Sequence, residues 1–311
     1  MKLRFLLSCT LIVFSVAALA QQPPSDTKHG IMVRTAQIYI APDATSAKLG
    51  DIGLGREVTV LDQSRNWVQV LASVTQERDI TGWILNKGII HIDTPDGPKI
   101  LFGEAAAQEL EASRRNGRKG AADDARRLYY RVFDYFPKSD LAGEGLYRAA
   151  DILWQIEAAD VNSRPARNRE VMDRPEITED YMRLVMKKFP GTQWADRAAF
   201  HLIENKLCND WLGESKCPDK EADIYEKYAA QRPGSPNAGE ALYNAATRRA
   251  ALIEIYKTEN KPKQIDESRE KAKADCEQTV SKYGETDWAY RCKALEYLVD
   301  QQIPTYGNSQ E

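Results

Sequence analysis

Two stretches decide the fold: Phe136-Pro137-Lys138-Ser139 followed by Gly143-Glu144-Gly145-Leu146-Tyr147-Arg148-Ala149-Ala150, and Arg232-Pro233-Gly234-Ser235 followed by Gly239-Glu240-Ala241-Leu242-Tyr243-Asn244-Ala245-Ala246. Each reads as the end of one helix and the start of another. Proline or glycine stops the first, and a hydroxyl side chain is placed to accept from an orphan N–H of the second. The same corner recurs at Phe189-Pro190-Gly191-Thr192 and at Tyr283-Gly284-Glu285-Thr286. Three residues beyond each hydroxyl stand Ala142, Ala195, Ala238 and Ala289, and six beyond stand Gly145, Ala198, Ala241 and Cys292. Small side chains at fixed offsets let helices approach closely, which a stack of helix pairs requires. Eight residues before the Pro or Gly stand Tyr129, Met182, Tyr225 and Cys276. Twelve before stand Ala125, Thr178, Glu221 and Ala272, a set that conforms only half.

Upstream of this region the pattern changes period. From Ile31 to His91 the chain is rich in Val, Ile, Thr and Trp, with Gly, Pro and Asp between short alternating runs. Gln37 to Ile40, Glu57 to Leu61, Trp67 to Val70 and Gly82 to Ile84 read as strands. Asp93-Thr94-Pro95-Asp96-Gly97-Pro98 reads as a linker. The expected limits are 1–20 for an export signal, 21–29 for a tail, 30–92 for a β domain, 93–100 for the linker, 101–306 for helical repeats and 307–311 for a second tail.

The signal is read from Lys2 and Arg4, the apolar run Phe5 to Val16, and Ala18-Leu19-Ala20, with cleavage after Ala20. Leu6-Leu7-Ser8-Cys9 resembles a lipobox, but most of the apolar run follows Cys9, so anchoring there is not expected. No other stretch reaches the roughly 18 apolar residues of a membrane span. Cleavage leaves 41 basic and 46 acidic residues, net −5, a balance that favours neither nucleic acid nor an anionic membrane as partner. An exported, periplasmic or secreted protein is therefore expected, without a transmembrane segment.

Pro42 with Ser46, Gly55 before Glu57-Val58-Thr59-Val60, Asn66-Trp67 with Val70, and Gly82-Trp83-Ile84 resemble a bacterial SH3-like (SH3b) domain over about 60 residues. Its usual Asn-Val-Arg start is replaced by Ile38-Tyr39-Ile40-Ala41. The resemblance implies a small closed all-β barrel, and often a role in cell-wall binding. Tyr39, Trp67 and Trp83 are the aromatic candidates for a peptide or glycan groove. A small barrel also needs rings in its core; Trp67 is the first expected there and Tyr39 the best ligand candidate. The helical segments Gly143–Ala150 and Gly239–Ala246 resemble the first helix of a tetratricopeptide (TPR) repeat, and Ala125 with Tyr129 resembles the second. The corner-to-corner intervals of 53, 43 and 51 residues exceed the family's roughly 34. Extended segments at Val161–Pro175, Asn209–Pro218 and Thr258–Ile265 account for the excess. The Phe-Pro-x-Ser form resembles envelope TPR proteins such as the lipoprotein subunit of the outer-membrane β-barrel assembly machinery. The fold class expected is thus an SH3-like barrel followed by an all-α, TPR-like solenoid.

After cleavage four cysteines remain, an even number in an oxidising compartment. Cys276 and Cys292 lie eight residues either side of Gly284, at one level of an antiparallel pair. Cys208 and Cys217 flank a loose insertion. The expected bridges are therefore Cys208–Cys217 and Cys276–Cys292. No zinc-ligand spacing is present. His201 and Glu204 share a helix face and read as a surface pair; no nucleophile-and-base set, metal site or cofactor motif is recognised. Two basic clusters, Arg114, Arg115, Arg118 and Lys119, then Arg164, Arg167 and Arg169, are candidates for an acidic partner, although solvated loop charge is the plainer reading. Together these features point to a non-enzymatic envelope adaptor that binds a protein or peptide partner. The alternative is a peptidoglycan-recognition protein that recruits or regulates a separate hydrolase.

Overall fold

The computed structural model describes residues 28–75, 78–163, 177–208 and 210–307. The expected signal with its cleavage site at Ala20, and Arg164, Arg167 and Arg169, lie outside the described residues. Seven strands come first: β1 (Lys28–Met32), β2 (Ala36–Tyr39), β3 (Lys48–Ile52), β4 (Glu57–Ser64), β5 (Trp67–Ser73), β6 (Asp79–Leu85) and β7 (Ile89–His91). The helices described after them are α1 (Gly97–Ser113), α2 (Ala121–Tyr135), α3 (Ala142–Ser163), α4 (Asp180–Lys188), α5 (Gln193–Glu204), α6 (Lys216–Gln231), α7 (Ala238–Thr258), α8 (Pro262–Tyr283) and α9 (Asp287–Asp300). β1 begins inside the stretch read as a tail, and α1 inside the stretch read as a linker. None of the helices described is long and apolar enough to cross a membrane.

The strands form one antiparallel sheet in the order β3-β2-β6-β5-β4-β1-β7. The closed barrel expected from the sequence is corrected here, because the sheet is open, with β3 and β7 as its ends. Pairing of β1 with both β4 and β7 places the first and last strands side by side and leaves β3 without a second neighbour among the described residues. Alternation sorts the side chains. Val68, Val70 and Ala72 of β5 point inward with Met32, Ile38, Ile52, Val58 and Ile84 to form an all-aliphatic core, and the odd-numbered residues of β5 point outward.

A second core joins the sheet to the helices. Ile31, Leu54 and Ile90 pack with Leu101, Ala105, Ala125, Leu128 and Tyr129. Around it, Arg127 Nε donates to the Leu54 carbonyl at 3.3 Å, and the Tyr135 hydroxyl donates to Glu57 Oε1 at 2.7 Å. Gly55 takes a φ of 70°, and a Cβ there would lie 2.7 Å from Arg127 Cβ. Only glycine lets this turn close on α2.

Along the helices, α1 packs on α2, α2 on α3, α6 on α7, α7 on α8 and α8 on α9. The corners behave as two kinds. Thr192 and Thr286 cap α5 and α9, accepting from Ala195 N and Ala289 N. Ser139 and Ser235 instead accept from Leu141 N and Asn237 N, forming a turn before helices that start at Ala142 and Ala238. Ala142, Ala195, Ala238, Ala289, Ala198, Ala241 and Cys292 are all buried. A Cβ on Gly145 would lie 2.9 Å from the Tyr129 carbonyl. The excess length over Thr258–Ile265 is taken up by longer helices, since α7 has 21 residues and α8 has 22, with only a tight turn between them.

Candidate functional site

On the outer face of the sheet the three aromatic candidates come together. Tyr39 is paired in register with Trp83, Trp83 with Gln69, and Trp67 with Leu85. The Tyr39 and Trp67 rings meet edge to face at 5.6 Å. All three rings are half-buried, and none belongs to the aliphatic core beneath. The expectation that Trp67 fills the core is therefore corrected. Its odd position on β5 places it on the opposite face from Val68 and Val70, and the thin core is already filled by aliphatic side chains. Gly82 makes the arrangement possible, because a Cβ there would lie 2.5 Å from Ile38 Cγ2 and 2.7 Å from the Tyr39 carbonyl. Beside the rings is a groove of about 420 Å³ lined by Arg34, Gln37, Tyr39, Leu85 and Lys87 among others. Tyr39 donates to Gln37 Oε1 at 2.5 Å, so its ring is held at the groove's edge. Of the segment Ile38-Tyr39-Ile40-Ala41, Tyr39 lines this groove while Ile38 points into the core, with a register irregularity between the two.

The helices carry a constellation built twice. Tyr147 of α3 lies against Trp194 of α5 at 5.6 Å and 31°, and Tyr243 of α7 against Trp288 of α9 at 5.6 Å and 35°. Arg197 sits over Trp194 at 5.9 Å, and Arg291 over Trp288 at 4.9 Å. The glycines that begin the two matching sequence stretches support it: Gly143 and Gly239 each lie under an aromatic ring of the next corner, from Trp194 with Phe189 and from Tyr283. The signal in the sequence is Thr192-Gln193-Trp194-Ala195-Asp196-Arg197 against Thr286-Asp287-Trp288-Ala289-Tyr290-Arg291, a Thr-x-Trp-Ala-x-Arg repeat. The threonines and alanines of this repeat stand out in the sequence as corner residues; its tryptophans and arginines do not. These four rings are half-buried, and neither guanidinium pairs with a carboxylate among the described residues.

Next to the first copy, His201 Nε2 lies 3.2 Å from both Asp151 Oδ1 and the Tyr147 hydroxyl, and Trp154 Nε1 donates to Glu204 Oε2 at 2.9 Å. Burial raises the Asp151 carboxyl above its usual range, against the lowering effect of His201. Burial and the nearby Asp151 push Tyr147 up to about 12. The His201–Glu204 pair is thus part of a polar patch shared between α3 and α5. Among the described residues no group of three or more His, Cys, Asp or Glu side chains is arranged for a metal.

In the basic cluster, Arg114 is tied to Glu111 at 2.7 Å, and Arg118 to Gln108 at 2.7 Å and Asp124 at 2.5 Å. Arg115 and Lys119 are exposed. Half of the cluster therefore serves the turn between α1 and α2. Cys208 and Cys217 are bonded. Cys276 and Cys292 are not; they are two buried thiols in hydrogen-bond contact. That corrects the expected second bridge to a facing dithiol: the helix-pair geometry brings the sulfurs together at one level without joining them.

No family's sequence pattern and no curated protein sequence matches the chain. Among solved structures it is similar to a chain described as "DHF58 filament", at 15% identity and a TM-score of 0.24, over 66% of this chain and 91% of that one.

Proposed function

We propose that this protein is a non-enzymatic adaptor of the bacterial envelope, exported to the periplasm or beyond. Its TPR-like helical repeats would hold a protein or peptide partner, and its SH3-like β domain would supply a second contact. The observation that carries this reading is the duplicated Tyr–Trp–Arg constellation. Half-buried aromatic rings with an adjoining guanidinium are the side chains that dominate protein-binding surfaces, and they recur at matching positions of the helix pairs. Helix-pair arrays bind through extended surfaces of this kind, each pair adding a strip.

The test is in-envelope cross-linking of the full-length chain, comparing wild type with a variant carrying Trp194→Leu and Trp288→Leu. Recovery of one protein partner by wild type, and its loss from the variant at unchanged helicity, is the expected result. Equal recovery would move the contact away from the helices.

A second reading is favoured by the outer face of the sheet. The Tyr39 ring at the groove's edge, edge to face with Trp67 and opposite Trp83 in register, suits sugar rings or peptide stems as well as protein, so recognition of peptidoglycan, with recruitment of a separate hydrolase, is the alternative. Sedimentation of the full-length protein with purified sacculi, abolished by Tyr39→Ala, is its expected signature.

A further inference from the structure

At the junction of sheet and helices lies a small cavity of about 150 Å³, outside both aromatic faces. Its walls include Arg56, which follows the β3–β4 turn, and Arg126, Arg127 and Arg131 from successive turns of α2, with the rings of Tyr130 and Tyr181 alongside. Four guanidinium groups meet one lining carboxylate, Glu57. That carboxylate is already engaged: Tyr135 donates to it at 2.7 Å, Arg131 lies 3.4 Å away, and His29 lies 3.3 Å away. Arg127 is bound to Asp124 and Arg131 also to Asp134 at 2.6 Å, while Arg126 reaches Asp123 only at 3.5 Å. Arg126 Nε is buried without a hydrogen-bond partner, and the Arg56 guanidinium makes no hydrogen bond or ion pair among the described residues.

Like charges do not gather in a confined space without cost. Burial, together with the nearby Arg127, Arg131 and Arg126, lowers Arg56 below its ordinary value, partly offset by Asp124. The backbone nonetheless fixes the arrangement. The Arg56 carbonyl accepts from Met32 N at 2.9 Å, and the Gly55 carbonyl accepts from Arg131 Nε at 3.4 Å. Guanidinium forks match the oxygens of oxyanions. A cavity with surplus positive charge, an orphaned buried donor and room for only a few heavy atoms suits a compact, doubly charged oxyanion better than one carboxylate.

We propose that this pocket binds a phosphate group, either free phosphate or a phosphate monoester whose remainder extends past Tyr130 and Tyr181. Occupation would join β4 to α2 and brace the sheet against the helices.

The test uses the full chain, with inorganic phosphate as the probe in thermal melts and titration calorimetry, against chloride, sulfate and succinate at matched ionic strength. Phosphate is expected to raise the melting midpoint in a saturable way, with sulfate weaker and succinate and chloride without effect. Arg56→Gln and Arg126→Gln are each expected to weaken binding by about tenfold to a hundredfold, the loss of a charge-assisted hydrogen bond. If either variant misfolds, ³¹P line broadening of phosphate by wild type, reversed by excess phosphate monoester, carries the test. Vesicles of phosphatidylcholine with phosphatidic acid separate the sources: binding to these and not to free phosphate assigns a lipid head group, and the reverse assigns a soluble ligand. Equal midpoints in phosphate and chloride with no vesicle binding, succinate binding as tightly as phosphate, or an unchanged phosphate effect in a folded Arg56→Gln variant would each overturn the proposal.

Discussion

Asp275 of α8 is buried, with its Oδ2 atom lacking a partner. Its carboxyl is pushed up to about 7, first by burial and then by Glu226, against the lowering effects of Arg249 and Lys271. The folded state therefore holds this proton over a range where the unfolded chain has lost it. Its contribution to stability is full below pH ~4, the unfolded pKa, and is lost as the pH rises through about 7. Asp275→Asn is expected to flatten the fall in stability between pH 4 and 7 and to be more stable than wild type at pH 8; urea melts across that range check it. Glycines carry the other residue-scale constraints. Gly55→Ala forces a left-handed backbone on a side chain, about 1 kcal/mol or more, and drives a Cβ into α2. It is expected to lower the melting midpoint more than Gly53→Ala, where nothing lies within 4 Å.

For single elements, the corners offer the sharpest comparison. Thr286 and Thr192 cap helices through their side chains, whereas Ser139 and Ser235 shape the turn before the helix. Thr286→Ala is expected to cost about 1 kcal/mol, visible as a lower denaturant midpoint at unchanged m-value and as faster hydrogen exchange in the first turn of α9. Between α8 and α9 the buried thiols Cys276 and Cys292 face each other unjoined. The protein is expected to carry the Cys208–Cys217 bridge, worth on the order of 3 kcal/mol if unstrained, and to keep Cys276 and Cys292 as free thiols. Peptide mapping without reductant checks it, and recovery of a linked Cys276–Cys292 peptide would refute it.

Across the whole molecule, the shared core of Ile31, Leu54, Ile90, Leu101, Leu128 and Tyr129 makes the sheet and the first helices mechanically one unit. Cutting between residues 93 and 100 would expose that apolar surface on both sides. The fragment Leu101–Glu311 is expected to bind a hydrophobic dye and to unfold less cooperatively than the intact chain. In the intact chain, the sheet and α1 to α3 are expected to exchange their protected amides together. A fragment as cooperative as the whole would show the two cores to be independent.

The period of the apolar residues was enough to divide this chain into a β region and a helical one, because alternation and helical spacing are local properties of side-chain direction. The corners were legible for the same reason: proline, glycine and small residues act on their immediate neighbours. The Thr-x-Trp-Ala-x-Arg repeat was also present in the sequence, although its rings acquire meaning only when α3 meets α5 and α7 meets α9. Which face of the sheet Trp67 occupies, whether the strands close, and whether two cysteines at one level are joined depend on how elements dock. The arginine pocket depends on it most. Arg56 lies 70 residues before Arg126 in sequence, and the two share a cavity because Gly55 lets the β3–β4 turn close on α2.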